Sequence, residues 1–206
     1  SRFADMGRLL ANRTFVLALL AVGLIQATHG FYYAFSAISW KAQGISESLT
    51  GLLWAFSVVV EIVFMWVVEP WRRRRGIGAW TLLVVGGVAG LIRWSALAMA
   101  PGLVWLWPLQ ALHSLTFAAT YLAGVQIIER LAPPGSQTTA QTLSSVLSSG
   151  ILIGAATLSA GPLYDAYGVG GYWAMTAMAI AGLIVALILR RLMSMTGPPV
   201  NTSSTL

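Results

Sequence analysis

Gln26, His29, Tyr32, Tyr33 and Ser36 share one short word, "QATHGFYYAFS", inside an otherwise apolar run. A second word at 110–118, "QALHSLTFA", repeats the Gln-Ala-x-His pattern in another apolar run. Amide, imidazole and phenol groups can hold a polar solute, pass a proton or hydrogen-bond a neighbouring helix. Spacing sorts them. Gln26, His29, Tyr33 and Ser36 fall at i, i+3, i+7 and i+10, and so on one helical face. Gln110, His113, Phe117, Thr120 and Tyr121 do likewise. Two such stripes either line one cavity or bind their helices together.

Two charges also interrupt apolar runs, Glu61 and Arg93. A titratable side chain at membrane depth is costly, and by default marks a functional site facing the bundle interior. At a rise of about 1.5 Å per residue, His29 and His113 each lie roughly 15 Å from the external end of their runs, at matching depth. Arg93 falls nearer the outside and Glu61 nearer the cytoplasm, roughly 13 Å apart by the same rise. They form a structural ion pair, since an unpaired charge there is very unfavourable, or Glu61 is a proton carrier. No metal-ligand spacing, nucleophile elbow, phosphate loop or dinucleotide turn is present. No enzyme activity, metal or cofactor is therefore expected. There is no cysteine, hence no disulfide and no thiol chemistry.

The elements that carry these groups follow from composition. Hydrophobic residues make up 57% of the chain, charged residues only 9%, and the mean hydropathy is +0.78. Soluble domains carry about 25% charged residues, so the chain is an integral membrane protein. Its net charge of +6 comes from arginines at the ends of apolar runs. That pattern orients membrane helices and does not point to nucleic acid.

A spanning helix needs about 20 mostly apolar residues. Six runs fit: 14–39, 47–69, 77–99, 102–128, 138–162 and 170–190. The expected fold is an all-α membrane protein of six transmembrane helices, without β-structure. A segment 1–13 precedes a transmembrane domain 14–191, and the polar tail 192–206 is expected to be disordered. Arg2, Arg8, Arg13, Arg72 to Arg75, Arg130, Arg190 and Arg191 occupy one side, against Lys41 alone on the other. Both termini are thus expected on the cytoplasmic side of the cell (inner or plasma) membrane. The chain starts at Ser1 with no cleavable signal pattern, and is expected to be trimmed or part of something longer. Gly86 with Gly90, and Gly150 with Gly154, have the spacing of close helix contacts. The sixth run holds no strong polar group and should face lipid.

The Gln-Ala-x-His echo links the first run to the fourth, which cross in opposite directions. Longer words extend it. "THGFYYAFSAISWKAQGISESLTGLLWAFSVVVEIVFM", "GLIRW", "LQALHSLTFAATYLAGVQIIERLAPP" and "AGPLYDAYGVGGYWAM" resemble the second half of a major facilitator transporter. The likeness is to the branch of phenylpropionate permeases and relatives of the lactose and nucleoside proton symporters. "EPWRRRRGIG" departs from the signature between the second and third helices, so gating contacts there are not carried over. The resemblance implies two inverted three-helix repeats, about 14–99 and 102–191. It also implies a cavity walled by the first and fourth helices, that is by Gln26, His29, Tyr32, Tyr33, Ser36, Gln110, His113, Phe117, Thr120 and Tyr121, with Glu61 and Arg93 in charge or proton coupling. The expected function is half of a proton-coupled secondary transporter for an aromatic carboxylate, nucleoside or sugar-like solute. Its partners would be lipid, the solute, and a second copy of itself or a missing N-terminal half. The alternative is a non-transporting six-helix module that self-associates or serves as a partner subunit.

Overall fold

A computed structural model describes residues 2–196, and every regular element among them is helical. In order these are α1 (Arg2–Ala11), α2 (Arg13–Ala27), α3 (His29–Ala42), α4 (Glu47–Val63), α5 (Glu69–Arg74), α6 (Ala79–Ala98), α7 (Leu103–Ala111), α8 (Thr120–Leu131), α9 (Gln137–Ser145), α10 (Ile153–Tyr167) and α11 (Tyr172–Thr196). Short π-helical stretches join α4 to α5, α7 to α8 and α9 to α10, at Phe64–Val68, Ser114–Ala119 and Val146–Leu152. A 3-10 turn, Gly168–Gly171, separates α10 from α11. α11 continues to Thr196, past the expected end at 191, and the rest of the tail expected to be disordered, 197–206, lies outside the described residues.

Caps set where helices start. Asn12 Oδ1 accepts from the N–H groups of Thr14 (3.0 Å) and Phe15 (3.2 Å), and Ser46 Oγ accepts from Leu49 N–H (3.2 Å). Such caps satisfy donors that have no partner within the helix. Gly168, at φ 56°, ends α10 in a backbone conformation that disfavours other residues.

Five helical stretches are long and apolar enough to cross a membrane: Arg13–Ala42, Glu47–Arg74, Ala79–Ala98, Leu103–Leu131 and Gln137–Met193. The last, of 57 residues, folds back on itself. Ser148 and Leu152 pack at Gly23 and Ala156 at Gly30, so this part runs in the direction of α2 and α3. Phe31 then packs at Gly171 and Ile25 at Gly182, so α11 returns along the same pair. The chain is a multi-pass membrane protein.

Burial divides the bundle into two apolar clusters. One holds Phe15, Val22, Ile25, Leu83, Ala118, Ile127 and Leu189; the other holds Phe31, Tyr32, Leu53, Trp94, Leu97, Leu106 and Leu109. Between them, on α2–α3, α6 and α7–α8 alike, lie buried polar residues: Gln26, His29, Arg93, Gln110, His113 and Thr116. The fold thus positions one polar layer across three helices.

Close helix approach is placed differently from the sequence expectation. Gly86 does meet another helix, at Thr120 and the Leu115 carbonyl, and Gly90 meets Trp94 of its own helix and, at 3.8 Å, Ala179 of α11. A Cβ at Gly150 or Gly154 would meet nothing within 4 Å. α11 is not simply a lipid-facing helix either. Met175, Ala179, Ala186 and Leu189 are buried, while Trp173, Ile180, Ile184, Leu187 and Ile188 are exposed.

At Gly30 an added Cβ would stand 2.7 Å from Ala156 Cβ and 3.1 Å from Thr157 N, where backbone must move. Gly30→Ala should therefore cost about 1–3 kcal/mol by overpacking. Gly150→Ala should leave stability unchanged or slightly raised. Thermal unfolding of both variants in detergent checks the pair.

Candidate functional site: a polar layer centred on Arg93

Arg93, in the last third of α6, is completely buried, at 0% exposure. A guanidinium cannot be deprotonated there at reasonable cost, so its surroundings must supply acceptors. Nη1 donates to Thr116 Oγ1 (3.0 Å) and to His113 Nδ1 (3.1 Å), and Nη2 donates to Gln110 Oε1 (3.0 Å). The guanidinium carbon lies 4.5 Å from the ring centroid of Tyr32 and 4.8 Å from that of Trp94. Both ring faces are attractive to a cation.

These contacts decide where the histidine protons sit. Arg93 can only donate, so His113 Nδ1 accepts and the proton of the neutral ring is on Nε2. That nitrogen faces Glu61 Oε2 at 3.3 Å. His29 is the reverse: its Nδ1 lies 2.9 Å from the Gln26 carbonyl and must donate, which leaves Nε2 to accept from Thr116 Oγ1 at 3.0 Å. The two imidazoles thus take opposite tautomers. Glu61 and Arg93 are not a direct ion pair; His113 stands between the carboxylate and the cation.

The surrounding helices account for each position. α4 is mostly exposed; Leu53 and Ser57 on its inner face are buried, as is Phe64 just beyond its end, with half-buried Glu61 between the last two. Gln110 Nε2 donates to the Leu53 carbonyl (3.0 Å) and to Tyr32 Oη (2.8 Å), which ties α3, α4 and α7 together. Gln26 Nε2 donates to the Phe117 carbonyl (3.2 Å). The rings of His29 and His113 are 5.6 Å apart, at the common depth expected from the sequence.

The two stripes divide between an interior and an open face. Gln26, His29, Tyr32, Ser36, Gln110, His113 and Thr120 are buried. Tyr33 and Tyr121 are exposed, and Phe117 is half-buried. His113, Phe117 and Tyr121 form a ladder of near-parallel rings, with centroids 5.3 Å and 6.4 Å apart. The π-helical stretch Ser114–Ala119 takes Thr120 off that ladder: its hydroxyl donates to the Leu115 carbonyl (3.4 Å), five residues back, and it packs at Gly86. Ser36 is likewise buried, away from the open face.

Sequence reasoning missed Thr116, which joins His29 to Arg93; its spacing of three residues from His113 was the available signal. It also missed a groove of about 320 Å³ beside the ladder, whose lining includes Phe117, Tyr121, Gln141, Ser145 and Ser149. A third omission lies at the arginine-rich end. Buried Glu69 and Arg72 form a cluster with exposed Arg73 and half-buried Gln126, and both Glu69 oxygens are bonded by Arg72 at 2.6 and 2.7 Å. Among the described residues no three His, Asp or Glu side chains stand close enough to hold a metal ion.

Residues 2–175 match the MFS_1 like family. The chain belongs to that family. Relatives include a probable 3-phenylpropionic acid transporter of Escherichia coli (strain K12), 34% identical over 81% of this chain and 43% of that protein. A maltose permease of Geobacillus stearothermophilus is 27% identical over 91% of this chain and 47% of its own length. An uncharacterized transporter of Bacillus subtilis (strain 168) is 22% identical over 89% of this chain and 46% of that protein. No solved structure matches. This family member spans about half the length of the curated relatives it matches. Those relatives are transporters, not enzymes, in agreement with the resemblance read from the sequence.

Replacing Gln110 by leucine tests the layer. Gln110→Leu leaves an Arg93 N–H and the Leu53 carbonyl buried without partners, each at about 1–3 kcal/mol. A large fall in melting temperature is expected, against no change for exposed Tyr121→Phe.

Proposed function

We propose that this chain is half of a secondary active transporter that couples movement of a small organic solute to protons. It crosses the membrane six times, as two inverted three-helix repeats at about 14–99 and 102–191, with both termini on the cytoplasmic side of the cell membrane. The observation that carries the coupling is the chain of contacts from Glu61 through His113 to Arg93. A proton arriving at Glu61 removes the carboxylate that faces His113 Nε2, and leaves the Arg93 charge without its one nearby anion. The helices that hold these groups, α4, α6 and α7–α8, then have reason to repack. Tyr33, Phe117 and Tyr121 offer a solute the open ring face.

The solute classes that suit this face are an aromatic carboxylate, a nucleoside and a sugar-like ring. The relatives named for 3-phenylpropionic acid and maltose support two of them. Arg93, sealed at 0% exposure, serves the coupling unit and does not itself meet a solute carboxylate. Proteoliposomes holding the chain should take up labelled 3-phenylpropionate or maltose faster with an inward proton gradient. Glu61→Gln should abolish the effect of the gradient while exchange of solute across the membrane continues. A folded, assembled chain with no uptake of any such solute would favour the alternative, a non-transporting module.

The open face also calls for a partner, either a second copy or an N-terminal half. Polar groups left uncovered in hydrocarbon are costly. In a homodimer α2–α3 and α8 of two chains would meet across a two-fold axis. Cysteines replacing exposed Tyr33 or Tyr121 should then crosslink copy to copy, and one replacing exposed Leu187 on α11 should not. Crosslinking at Leu187 alone would overturn this pairing.

A further inference from the structure

One cavity of the described chain lies away from the polar layer. It has a volume of about 600 Å³ and opens at the arginine-rich end, between α5, the turn 76–78, the start of α6 and the end of α8. Its charged lining is Arg72, Arg73, Arg130 and Glu129. We propose that this cavity binds the anionic phosphodiester headgroup of a membrane lipid.

The arginines divide the work between them. Arg72 is fully engaged: Nε and Nη2 bond Glu69, Nη2 also reaches Gln126, and Nη1 holds the Ile77 carbonyl. It builds the wall and fixes the turn. Arg73 gives only Nε to Glu69 (2.8 Å), and its two terminal nitrogens have no partner among the described residues. Arg130 has none at all there. Two cationic hands, one from α5 and one from α8, therefore face one cavity, and Glu69 outside its lining is already shared between Arg72 and Arg73. Glu129 is the one opposing charge in the lining.

The neighbourhood is that of a bilayer interface. Trp66 and Trp71 are exposed, at 80% and 50%, on the same segment, and Arg75 lies over the Trp71 ring at 5.8 Å. Exposed tryptophans belong at the headgroup level. Val67 and Val68, also exposed, offer acyl chains an apolar bed just beyond. Basic pockets between helices at this level are recognised ground for anionic headgroups. Guanidinium groups bind phosphate oxygens through paired N–H donors.

The test uses the purified chain in detergent, with phosphatidylglycerol, phosphatidylcholine or inorganic phosphate added, read by melting temperature and by lipid retained in native mass spectrometry. Phosphatidylglycerol should raise the melting temperature and remain bound, and phosphatidylcholine should do neither. Arg130→Gln should remove at least half of the phosphatidylglycerol shift, and Glu129→Gln should enlarge it. Arg190→Gln, an equal loss of charge elsewhere, should leave it unchanged. Equal shifts with both lipids, an equal loss in Arg190→Gln, or no response to Glu129→Gln would overturn the site. A shift reproduced by inorganic phosphate alone would overturn the lipid and leave a free anion site. Should Arg130→Gln not fold, the Glu129→Gln and Arg190→Gln arms still decide.

Discussion

One buried guanidinium organises the interior. An arginine within a spanning helix is disfavoured, by about 2.5–3.5 kcal/mol at the helix centre on insertion scales and by less toward its ends. Arg93 has no exposed surface through which to reach water. Its relief therefore comes from fixed protein groups: two side-chain oxygens, one imidazole nitrogen and two ring faces, drawn from α3, α6 and α7–α8. Each acceptor is held in turn. Gln110 is oriented by the Leu53 carbonyl, and Thr116 has its hydroxyl proton committed to His29. Register between helices follows, because a slip of one residue would strand the charge.

Arginine has a second and different use at the other end of the same protein. Arg72 is also buried, yet it meets a full carboxylate at 2.6 Å and closes a turn. Arg93 meets its carboxylate only through His113. The first arrangement is a bidentate pair that needs nothing more. The second leaves a charge balanced at one remove, through a ring whose tautomer depends on both neighbours. The proposed proton coupling rests on that difference.

How much of this was legible in the sequence depends on range. The apolar runs, the arginine bias and the paired Gln-Ala-x-His words are local, and from them came the helices, the common depth of His29 and His113, and the family. Spacing at three and four residues also grouped His113, Phe117 and Tyr121 correctly. It failed at Thr120, because the π-helical turn before it adds a residue to the helix and no residue type in "SLTFAA" announces that. The His113 bridge between Glu61 and Arg93 was hidden for another reason: rise along an axis says nothing of a bridging side chain on a third helix. Gly150 and Gly154 had the spacing of a contact without the contact, since spacing defines a face and not what covers it.

That uncovered face bears on the whole arrangement. Along α9 and the π-helical stretch after it, Ser145, Ser149 and Gly150 are exposed at the same level as Tyr121 and the groove beside it. Exposed serines and small residues are poor lipid-facing surface but good helix-facing surface, where small side chains allow backbones to approach. The opposite side of the bundle, along α11, presents isoleucine, leucine and tryptophan. In the proposed assembly the first side would meet protein and the second acyl chains. The relatives are about twice as long as this chain, and in the proposed pairing a second half would close over the Glu61 carboxylate, half-buried at the edge of the ring ladder.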